Sequence, residues 1–523
     1  MASAALERER PAINPWLVAI AVMMGTFMEV LDTTVVNVSL PHIAGDLGAT
    51  VDEATWVLTS YLVSNAIILP MTGWLASRFG RKRVLITTIA GFTGASVMCA
   101  LSPNLQSLLF FRVLQGATGG GMVPLSQAIM LEAFPPEKRG RAMAFYGLGI
   151  VVAPMLGPVL GGWITVSYSW RWLFYINVPV GILGVLMCEA FVFDPPYLKR
   201  MKGKIDYWGI GLLVVGMGAL QILLDKGQED DWFASHFITV LAILTAAGLG
   251  LFLINEFMQA HPVVDLRVFK IGTYSTGVFL MTTLGFVMYG STVLIPIFLQ
   301  TLLGYSALDS GMVMLPRGMG AFLVMPLVGV LTAKVDARRL LVVGLSVSAI
   351  SLWMLSRINL NAGYWDLFWP QIIQGMSMGF IFVPLTTATH SPISRERMGN
   401  ATSIFNLMRN IGGSIGIAAV TTIIARTTQG NINILGRNIT PYSTATGSLM
   451  RSARALYSGA GSPPGVADSQ AYASVFGMVQ RQAAMLANIH AFRLLSLIFA
   501  CAIPLVFIMR KPPTSGGGGA AMH

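Results

Sequence analysis

Residues 73–85 read GWLASRFGRKRVL, and a related stretch, GVLTAKVDARRLL, occupies residues 329–341, which is 256 positions later. Two more pairs of similar stretches follow in the same order, each 259 positions apart: QGATGG (115–120) with QGMSMG (374–379), and EKRGRA (137–142) with ERMGNA (396–401). Three ordered matches at a nearly constant offset indicate an internal duplication. The chain is therefore predicted to consist of two homologous halves.

The composition indicates what each half is made of. Of the 523 residues, 54% are hydrophobic and only 11% are charged, whereas soluble domains contain roughly 25% charged residues. We count about fourteen apolar runs, each long enough to cross a hydrocarbon core of about 30 Å. These long runs differ from the alternating pattern of a membrane β-barrel. The predicted fold is an all-α polytopic membrane protein with two six-helix bundles and two extra central helices.

The net charge is +11, and the distribution of the basic residues indicates the membrane topology. The basic residues fall in short clusters between apolar runs, near residues 78–83, 138–141, 199–204, 334–339 and 395–397, and the alternate gaps are acidic or poor in Lys and Arg. Because basic loops stay on the cytoplasmic side, the gaps that carry the basic clusters are predicted to be cytoplasmic. An even number of spans places both termini on the same, cytoplasmic side. No nucleic-acid partner is expected.

The same pattern divides the chain into three parts. We predict an N-terminal six-helix bundle over 1–195, an inserted two-helix hairpin over 196–262, and a C-terminal six-helix bundle over 263–523. The last contains a polar external loop at 427–489, rich in Gly, Ser and Pro in places, with a more helical stretch, AYASVFGMVQRQAAMLANI, at 471–489. Loops of this length are either functional or disordered, so both a docking surface and a tolerated insertion remain open.

The motifs argue against an enzyme. The sequence has no G-x-x-x-x-G-K-[ST], which excludes ATP hydrolysis by a P-loop in this chain. A formal G-x-S-x-G match at 412–416 lies inside an apolar run, whereas that motif requires a strand-to-helix turn. Three scattered cysteines predict neither a disulfide framework nor a metal site. Internal repeats are typical of secondary transporters, so we expect no cofactor and an ion gradient as the energy source.

Two acids stand inside the first apolar run. Glu29 and Asp32 lie three residues apart, which places them on the same face of a helix. Intramembrane acids are usually functional, and a carboxylate there could load a proton from one side and release it to the other. We predict proton coupling at Asp32, and Glu29 is a second candidate. The alternative is that they only form hydrogen bonds to a neighbouring helix.

Three arginines also lie within apolar runs. Arg112 would need a carboxylate or carbonyl partner if it is buried. It either tunes the pKa of the intramembrane acid or only holds helices together. Arg409 is a weaker candidate of the same kind, because intramembrane charges tend to line pathways. Arg317 is interpreted as a residue that extends towards the membrane interface.

The stretch APMLGPVLGGW (153–163) predicts a close helix contact. Ala153, Gly157 and Gly161 have the spacing of small residues that lets two helices touch. Pro154 and Pro158 would bend the same helix. Simple packing and a bend used in alternating access both remain open.

Several motifs resemble those of the major facilitator superfamily, specifically its fourteen-span drug:proton antiporters. They are LDTTVVNVSLPHIAGDLGAT in the first span, GWLASRFGRKR between spans two and three, FFRVLQG in span four and GPVLGG in span five. The resemblance covers almost the whole chain. It implies export of lipophilic small molecules in exchange for protons across a bacterial inner membrane, together with a periplasmic adaptor and an outer-membrane channel.

The resemblance also implies roles for particular residues. Asp32 would couple protons, with Arg112 as its electrostatic partner. The antiporter motif would comprise Gly157, Pro158, Gly161 and Gly162, and the cytoplasmic loop motif Gly73, Arg78, Gly80 and Arg81. Two positions depart from the pattern: Ser77 stands where an acid is usual, and Glu29 stands where an uncharged residue is usual.

The same architecture could serve other functions. A nutrient symporter would use polar substrate contacts, and the antiporter-like GPVLGG motif argues against it. Export or uptake of one specific metabolite or siderophore is the main alternative. A membrane sensor or scaffold would not need a duplicated bundle with buried acids.

Overall fold

The computed structural model describes residues 14–194, 205–259, 262–437, 439–440 and 442–509. Every regular element in these ranges is helical. Thirteen of the helical segments there are long and apolar enough to cross a membrane. The chain is therefore a multi-pass membrane protein, as the composition predicted.

The described part of the N-terminal half contains nine α-helices, which account for the first six predicted spans. They are α1 (Pro15–Val35), α2 (Leu40–Leu47), α3 (Val51–Phe79), α4 (Arg81–Ala100), α5 (Leu105–Gly119), α6 (Met122–Ala133), α7 (Arg139–Ser167), α8 (Trp172–Tyr175) and α9 (Asn177–Phe191).

The remaining nine helices form the hairpin and the C-terminal half. They are α10 (Tyr207–Lys226), α11 (His236–Met258), α12 (Gly272–Ile297), α13 (Ala307–Leu331), α14 (Ala337–Leu355), α15 (Tyr364–His390), α16 (Met398–Arg437), α17 (Thr444–Gly459) and α18 (Pro464–Val506).

The fourth predicted span is a broken helix, which is why it is absent from the thirteen uninterrupted ones. The chain leaves the helical path at the glycine run after Gly119, and α6 begins at Met122. These glycines permit a close approach to α3, because a Cβ added to Gly120 would lie 2.6 Å from the carbonyl oxygen of Asn65. The break also leaves the first N–H groups of α6 without partners in their own helix.

The helices pack in corresponding ways in the two halves. In the N-terminal half α1 packs on α7, and in the C-terminal half α12 packs on α16. The halves meet mainly along α7 with α13 and along α3 with α16. The boundary at 195/196 lies outside the described ranges, and the division into 1–195, 196–262 and 263–523 stays a prediction.

The two halves also meet at the end that carries the basic clusters. A Cβ added to Gly73 of α3 would lie 2.6 Å from the Cα of Asn400. Arg81 Nη2 donates to the carbonyl oxygen of Arg395 at 3.3 Å. Two clusters predicted to be cytoplasmic therefore lie together. The terminal residues 1–13 and 510–523 are outside the described part of the chain, so the side on which the termini lie stays a prediction.

The inserted hairpin lies across the boundary between the halves. Helix α10 contacts both α3 and α16. On the α16 side, Gln221 Nε2 donates to Ser414 Oγ at 3.1 Å, and just beyond α10 Trp232 Nε1 donates to Thr422 Oγ1 at 3.0 Å. On the α3 side, the Thr59 hydroxyl donates to Asp225.

The segment 427–489 is mostly helical, which corrects its interpretation as a polar loop. Helix α16 continues to Arg437, and α17 packs on the N-terminal part of α18. A stripe of small apolar side chains at four-residue spacing is buried along α18: Ala467, Ala471, Val475, Val479 and Ala483. This helical pattern outweighs the Gly, Ser and Pro residues. Ser458 and Gly459 end α17, residues 460–463 form the turn, and Pro464 and Gly465 begin α18.

The length of α18 carries this structure beyond the membrane. The helix has 43 residues, or about 65 Å at 1.5 Å per residue. A hydrocarbon core is about 30 Å thick. About half of α18 therefore extends outside the core, and together with α17 and the end of α16 it forms what we call the helical arm.

Candidate functional site

Asp32 is the centre of a buried hydrogen-bond network. Its Oδ2 accepts from Arg112 Nη1 at 2.6 Å, and the side chains of both residues are fully buried. Its Oδ1 accepts from Gln115 Nε2 at 3.1 Å and from Asn177 Nδ2 at 2.9 Å. Helices α1, α5 and α9 are thus joined by one carboxylate.

Arg112 has carboxylate, amide and carbonyl partners, and its Nη2 has no hydrogen-bond partner among the described residues. Besides Asp32, its Nη1 contacts Gln115 Oε1 at 2.6 Å, and its Nε donates to the carbonyl oxygen of Val57 at 3.0 Å. The ring of Tyr61 lies 4.2 Å from the guanidinium carbon, in the range of a cation–π interaction. A buried Arg112 was predicted to need a carboxylate or carbonyl partner, and the structure supplies both.

The amide partners of the ion pair were not predicted from the sequence. Ser96 of α4 accepts from Gln115 at 2.6 Å and from Asn177 at 3.2 Å, so it fixes both amides against Asp32. Gln115 was noticed only as part of the repeated QG pair and of the FFRVLQG motif. A usable signal was present, because Ser96, Gln115 and Asn177 are polar residues within apolar runs.

Glu29 lies near this network but has separate partners. It is buried on α1, accepts from Asn65 Nδ2 at 2.9 Å and accepts from the backbone N–H of Val123 at 3.2 Å. That N–H is one of those left free by the helix break before α6. Since helix N-termini favour negative charge, the break creates a place for a carboxylate.

The arrangement around Asp32 can respond to a proton. With Asp32 ionised, its charge is compensated by Arg112, whereas a neutral Asp32 leaves a guanidinium buried without its counter-ion. Breaking one side of a buried ion pair costs about 3–5 kcal/mol. Protonation therefore alters the free energy that holds α1, α5 and α9 together.

The glycines of the predicted antiporter motif seat α7 on α1 beside Asp32. A Cβ at Gly157 would overlap Thr34, and one at Gly161 would lie 2.6 Å from the carbonyl oxygen of Val35. Pro158 faces the other half, since a Cβ added to Gly311 of α13 would be 3.5 Å from it.

Gly162 differs from the other members of the motif. The nearest side-chain atom to a Cβ built there is 4.0 Å away, on Val38, so the structure gives no close contact that requires a glycine. The antiporter role of Gly157, Pro158, Gly161 and Gly162 stays a prediction.

In the cytoplasmic loop motif, the partner of Arg81 comes from another helix. Arg81 forms a buried ion pair with Glu132 at the end of α6, which supplies the acid that Ser77 does not. Gly80 has φ of +94°, a backbone region that favours glycine, and Arg78 lies over the ring of Trp74 at 5.7 Å. Gly73 makes the contact with Asn400 described above.

Arg317 and Arg409 are both buried, at 3% and 4% exposure. The interpretation of Arg317 as an interface residue is wrong: it donates to Ser291 Oγ at 2.7 Å and to Thr292 Oγ1 at 3.1 Å. It lies on the face of α13 that packs inside its own half, and hydroxyl groups there satisfy it. Arg409 lies on α16, and its Nε and Nη1 have no hydrogen-bond partner among the described residues.

Comparisons with known proteins agree with this architecture. Residues 22–417 match the family described as Major Facilitator Superfamily. The chain is 37% identical over 503 residues to the fatty acid resistance protein FarB of Neisseria gonorrhoeae, covering 96% of this chain and 97% of FarB. It is 34% identical over 521 residues to the multidrug export protein EmrB of Escherichia coli strain K12, covering 99% of this chain and 100% of EmrB.

A solved structure is similar in fold. A double-tryptophan mutant of XylE matches with a TM-score of 0.61 and 14% identity, over 96% of this chain and 97% of XylE. The resemblance to multidrug exporters that the motifs indicated is confirmed by the relatives. The family match over most of the chain and these identities show that the chain belongs to the major facilitator superfamily.

Proposed function

We propose that this chain is a proton-coupled antiporter that exports hydrophobic or amphipathic compounds across a bacterial inner membrane. The observation that carries the proposal is the buried Asp32–Arg112 ion pair, held by Gln115 and Asn177. The names of two relatives that align over nearly the whole chain, for fatty acid resistance and multidrug export, support the substrate class. The proposal requires no cofactor and no enzymatic activity.

In the proposed cycle a proton from outside binds Asp32. The neutral carboxyl group no longer compensates Arg112, so α1, α5 and α9 rearrange. Because α7 is seated on α1 through Gly157 and Gly161 and contacts α13 of the other half, the rearrangement can reach the contact between the halves. Release of the proton to the cytoplasm restores the ion pair.

The proton gradient supplies enough free energy for such a cycle. A proton that crosses a potential of 100 mV releases about 2.3 kcal/mol. Each unit of pH difference adds about 1.4 kcal/mol. One proton per cycle can therefore drive a substantial concentration ratio of an uncharged substrate.

We further propose that the helical arm binds a periplasmic adaptor, EmrA-like, which leads to a TolC-like outer-membrane channel. The arm extends beyond the membrane core and exposes large apolar side chains, among them Leu456 and Tyr472 at 69% and 66% exposure. A double substitution of these two residues by Glu should abolish co-purification with a co-expressed adaptor. The same variant should keep its proton flux in liposomes, since the hydrogen bonds of Asp32 go to Arg112, Gln115 and Asn177 and not to the arm.

The central experiment uses the purified protein in liposomes that contain a pH-sensitive dye. A proton gradient is imposed, lipophilic substrates such as uncouplers or cationic dyes are added, and wild type is compared with Asp32→Asn. We expect substrate-triggered proton flux in wild type and none in the variant, because the amide cannot take up a proton.

The control is Asp366→Asn, which changes an exposed acid at the start of α15. Its flux should equal that of wild type. Flux that persists in Asp32→Asn would refute the assignment of coupling to this residue. Absence of flux in wild type with every compound would refute antiport by the isolated chain.

A further inference from the structure

A cavity lies where the helical arm meets the membrane-spanning part of the C-terminal half. It has a volume of about 410 Å³ and is enclosed by the turn that follows α12, by α16 and by α18. Its lining residues are Thr301, Leu302, Thr428, Ile432, Gly477, Gln480, Arg481 and Ala484. This lining combines polar side chains, one cation and no acid, and it includes no residue of the proposed transport cycle.

The cavity lies at the outer surface of the membrane. The turn that contains Leu302 connects α12 to α13, and the other end of α13 leads to the basic cluster at 334–339, which is predicted to be cytoplasmic. Because α13 is long enough to cross the membrane, Leu302 lies at the opposite face. The phosphate groups of the outer leaflet lie at the same level, just outside the hydrocarbon core.

Arg481 supplies the positive charge of the cavity. Its Nε and Nη2 donate to the carbonyl oxygen of Leu302 at 3.1 Å and 2.7 Å, which fixes the guanidinium at the junction of α12 and α18. A guanidinium has five N–H groups, and these two bonds use only two of them. Arg481 forms no ion pair among the described residues, so its charge is available to an anion.

A second donor in the wall has no partner. The hydroxyl group of Thr428 on α16 is buried and makes no hydrogen bond in the described part of the chain, although most buried hydroxyl groups do. Next to these polar groups, Leu302, Ile432 and Ala484 form an apolar wall. A ligand that carries both an anionic group and an apolar part can use both kinds of surface.

The charges around the cavity favour an anionic lipid over a zwitterionic one. Residues 427–489 contain four arginines and one acid, Asp468, and Asp468 forms an ion pair with Arg454. A zwitterionic headgroup would bring an ammonium group for which the lining has no acid. Since basic residues at a membrane surface attract anionic lipids, a headgroup with a phosphate and no ammonium group is the better match.

We propose that this cavity binds the headgroup of an anionic phospholipid, with its phosphate on Arg481 and Thr428. Phosphatidylglycerol has the required chemistry, because its headgroup carries one phosphate and hydroxyl groups that Gln480 can bind. The glycerol backbone covers the apolar wall. The lipid thereby joins α12, α16 and α18 and attaches the base of the helical arm to the outer leaflet. This inference goes beyond the export function and does not depend on proton coupling.

The test counts bound lipid molecules. Full-length protein in detergent is titrated with phosphatidylglycerol and with phosphatidylcholine of the same acyl chains, and native mass spectrometry measures the occupancy of each lipid. Wild type should bind one phosphatidylglycerol about fivefold more tightly than phosphatidylcholine, the factor expected for one arginine near an anionic headgroup. Equal binding of the two lipids would overturn the proposal.

Substitution of the arginine locates the preference. Arg481→Gln should bind the two lipids equally, because the cavity then has no cation. The matched control is Arg451→Gln, which removes an exposed arginine of the arm that does not line the cavity. It lowers the net charge by the same amount and should keep the preference. A preference that survives in Arg481→Gln, or that is lost equally in both variants, would contradict the site.

A second substitution fills the cavity and leaves Arg481 in place. No neighbouring atom lies within 4 Å of a Cβ built at Gly477, so Gly477→Leu can place its side chain in the cavity without a clash. It should lose the tightly bound phosphatidylglycerol, and it decides the question if Arg481→Gln does not fold. Gly430 of α16 is equally open but does not line the cavity, so Gly430→Leu should bind lipid as wild type does.

Inorganic phosphate distinguishes a lipid site from a site for a soluble anion. An excess of sodium phosphate over lipid should leave phosphatidylglycerol bound, because the free anion cannot cover the apolar wall. Displacement of the lipid by phosphate from wild type would overturn the assignment to a membrane lipid. Retention of phosphatidylglycerol by Gly477→Leu with the wild-type preference would show that the lipid binds elsewhere on the protein.

Discussion

The two halves of the molecule share a buried hydrogen bond at corresponding positions but differ in the charged residues around it. At the offset of 259 residues that relates the repeats, Asp32 corresponds to Ser291 and Gln115 to Gln374. In the first half Gln115 Nε2 donates to Asp32 at 3.1 Å, and in the second Gln374 Nε2 donates to Ser291 Oγ at 3.3 Å. The hydrogen bond recurs in both halves, whereas only the first has an acid there.

The position of the buried arginine also differs between the halves. Arg112 corresponds to Gln371, which is buried and whose two amide atoms have no partner among the described residues. In the second half Arg317 comes from α13 and donates to Ser291 instead. The first half therefore has a buried ion pair at this place, whereas the second has an arginine held by hydroxyl groups. Under the proposed function this difference is a division of labour, in which the first half alone responds to protons.

The largest effect on stability and proton flux is expected when Arg112 is replaced by Gln, the residue at the corresponding position of the second half. Arg112→Gln leaves an ionised Asp32 buried among amides, so the free energy of unfolding should fall by about 3–5 kcal/mol. Substrate-triggered proton flux should be lost. Thermal melting in detergent and the liposome assay measure the two effects.

A double variant controls for simple misfolding. Asp32→Ser combined with Arg112→Gln removes the acid with the cation, so it should melt closer to wild type than Arg112→Gln alone while remaining inactive. Flux near the wild-type level in Arg112→Gln would show that the ion pair is only structural.

An intermediate effect on stability is expected from replacing two corresponding glycines, each of which lets two helices pack closely. Gly157 of α7 and Gly416 of α16 are also 259 positions apart. A Cβ at Gly416 would meet the carbonyl oxygen of Phe286, whereas one at Gly157 would first meet the side chain of Thr34. Backbone cannot rotate aside, so Gly416→Ala should lower stability by about 1–3 kcal/mol. Gly157→Ala should lower it by a smaller but measurable amount, because the Thr34 hydroxyl can rotate away whereas the Thr34 Cβ, at 2.6 Å, cannot.

Thermal melting of the two variants measures this difference. Gly162→Ala is the neutral control, because the nearest side-chain atom to its new Cβ lies 4.0 Å away. Equal losses of stability in Gly157→Ala and Gly416→Ala would mean that Thr34 of α1 cannot move to make room for the new methyl group.

Much of the architecture could be predicted because it depends on local composition. Apolar runs and basic clusters predicted the spans, the repeats predicted the correspondence of the halves, and the pairing of Asp32 with Arg112 followed from the family resemblance. The break in the fourth span was not predicted, since the glycine run after Gly119 is compatible with a continuous apolar helix. Its consequence, a backbone donor for Glu29, depends on three-dimensional packing.

The rest of the site could not be predicted because its residues come from distant parts of the chain. Asn177 binds Asp32 from 145 positions away, and Glu132 reaches Arg81 from 51 positions away. Arg317 was misplaced because its burial depends on which face of α13 packs inward. The helical arm was predicted only in part, because the stretch 471–489 was judged more helical while the Gly, Ser and Pro residues before it were interpreted as loop.

The smallest effect on proton flux should come from the second half's own network. Ser291→Ala removes an acceptor of Arg317 and of Gln374, but Arg317 keeps Thr292. The loss of stability should be about 1–3 kcal/mol, because two buried donors lose their acceptor, and proton flux should match wild type, because no titratable group is changed. The liposome assay and thermal melting provide both values. Loss of flux in Ser291→Ala with little change in melting would mean that coupling extends into the second half, and the division of labour between the halves would have to be abandoned.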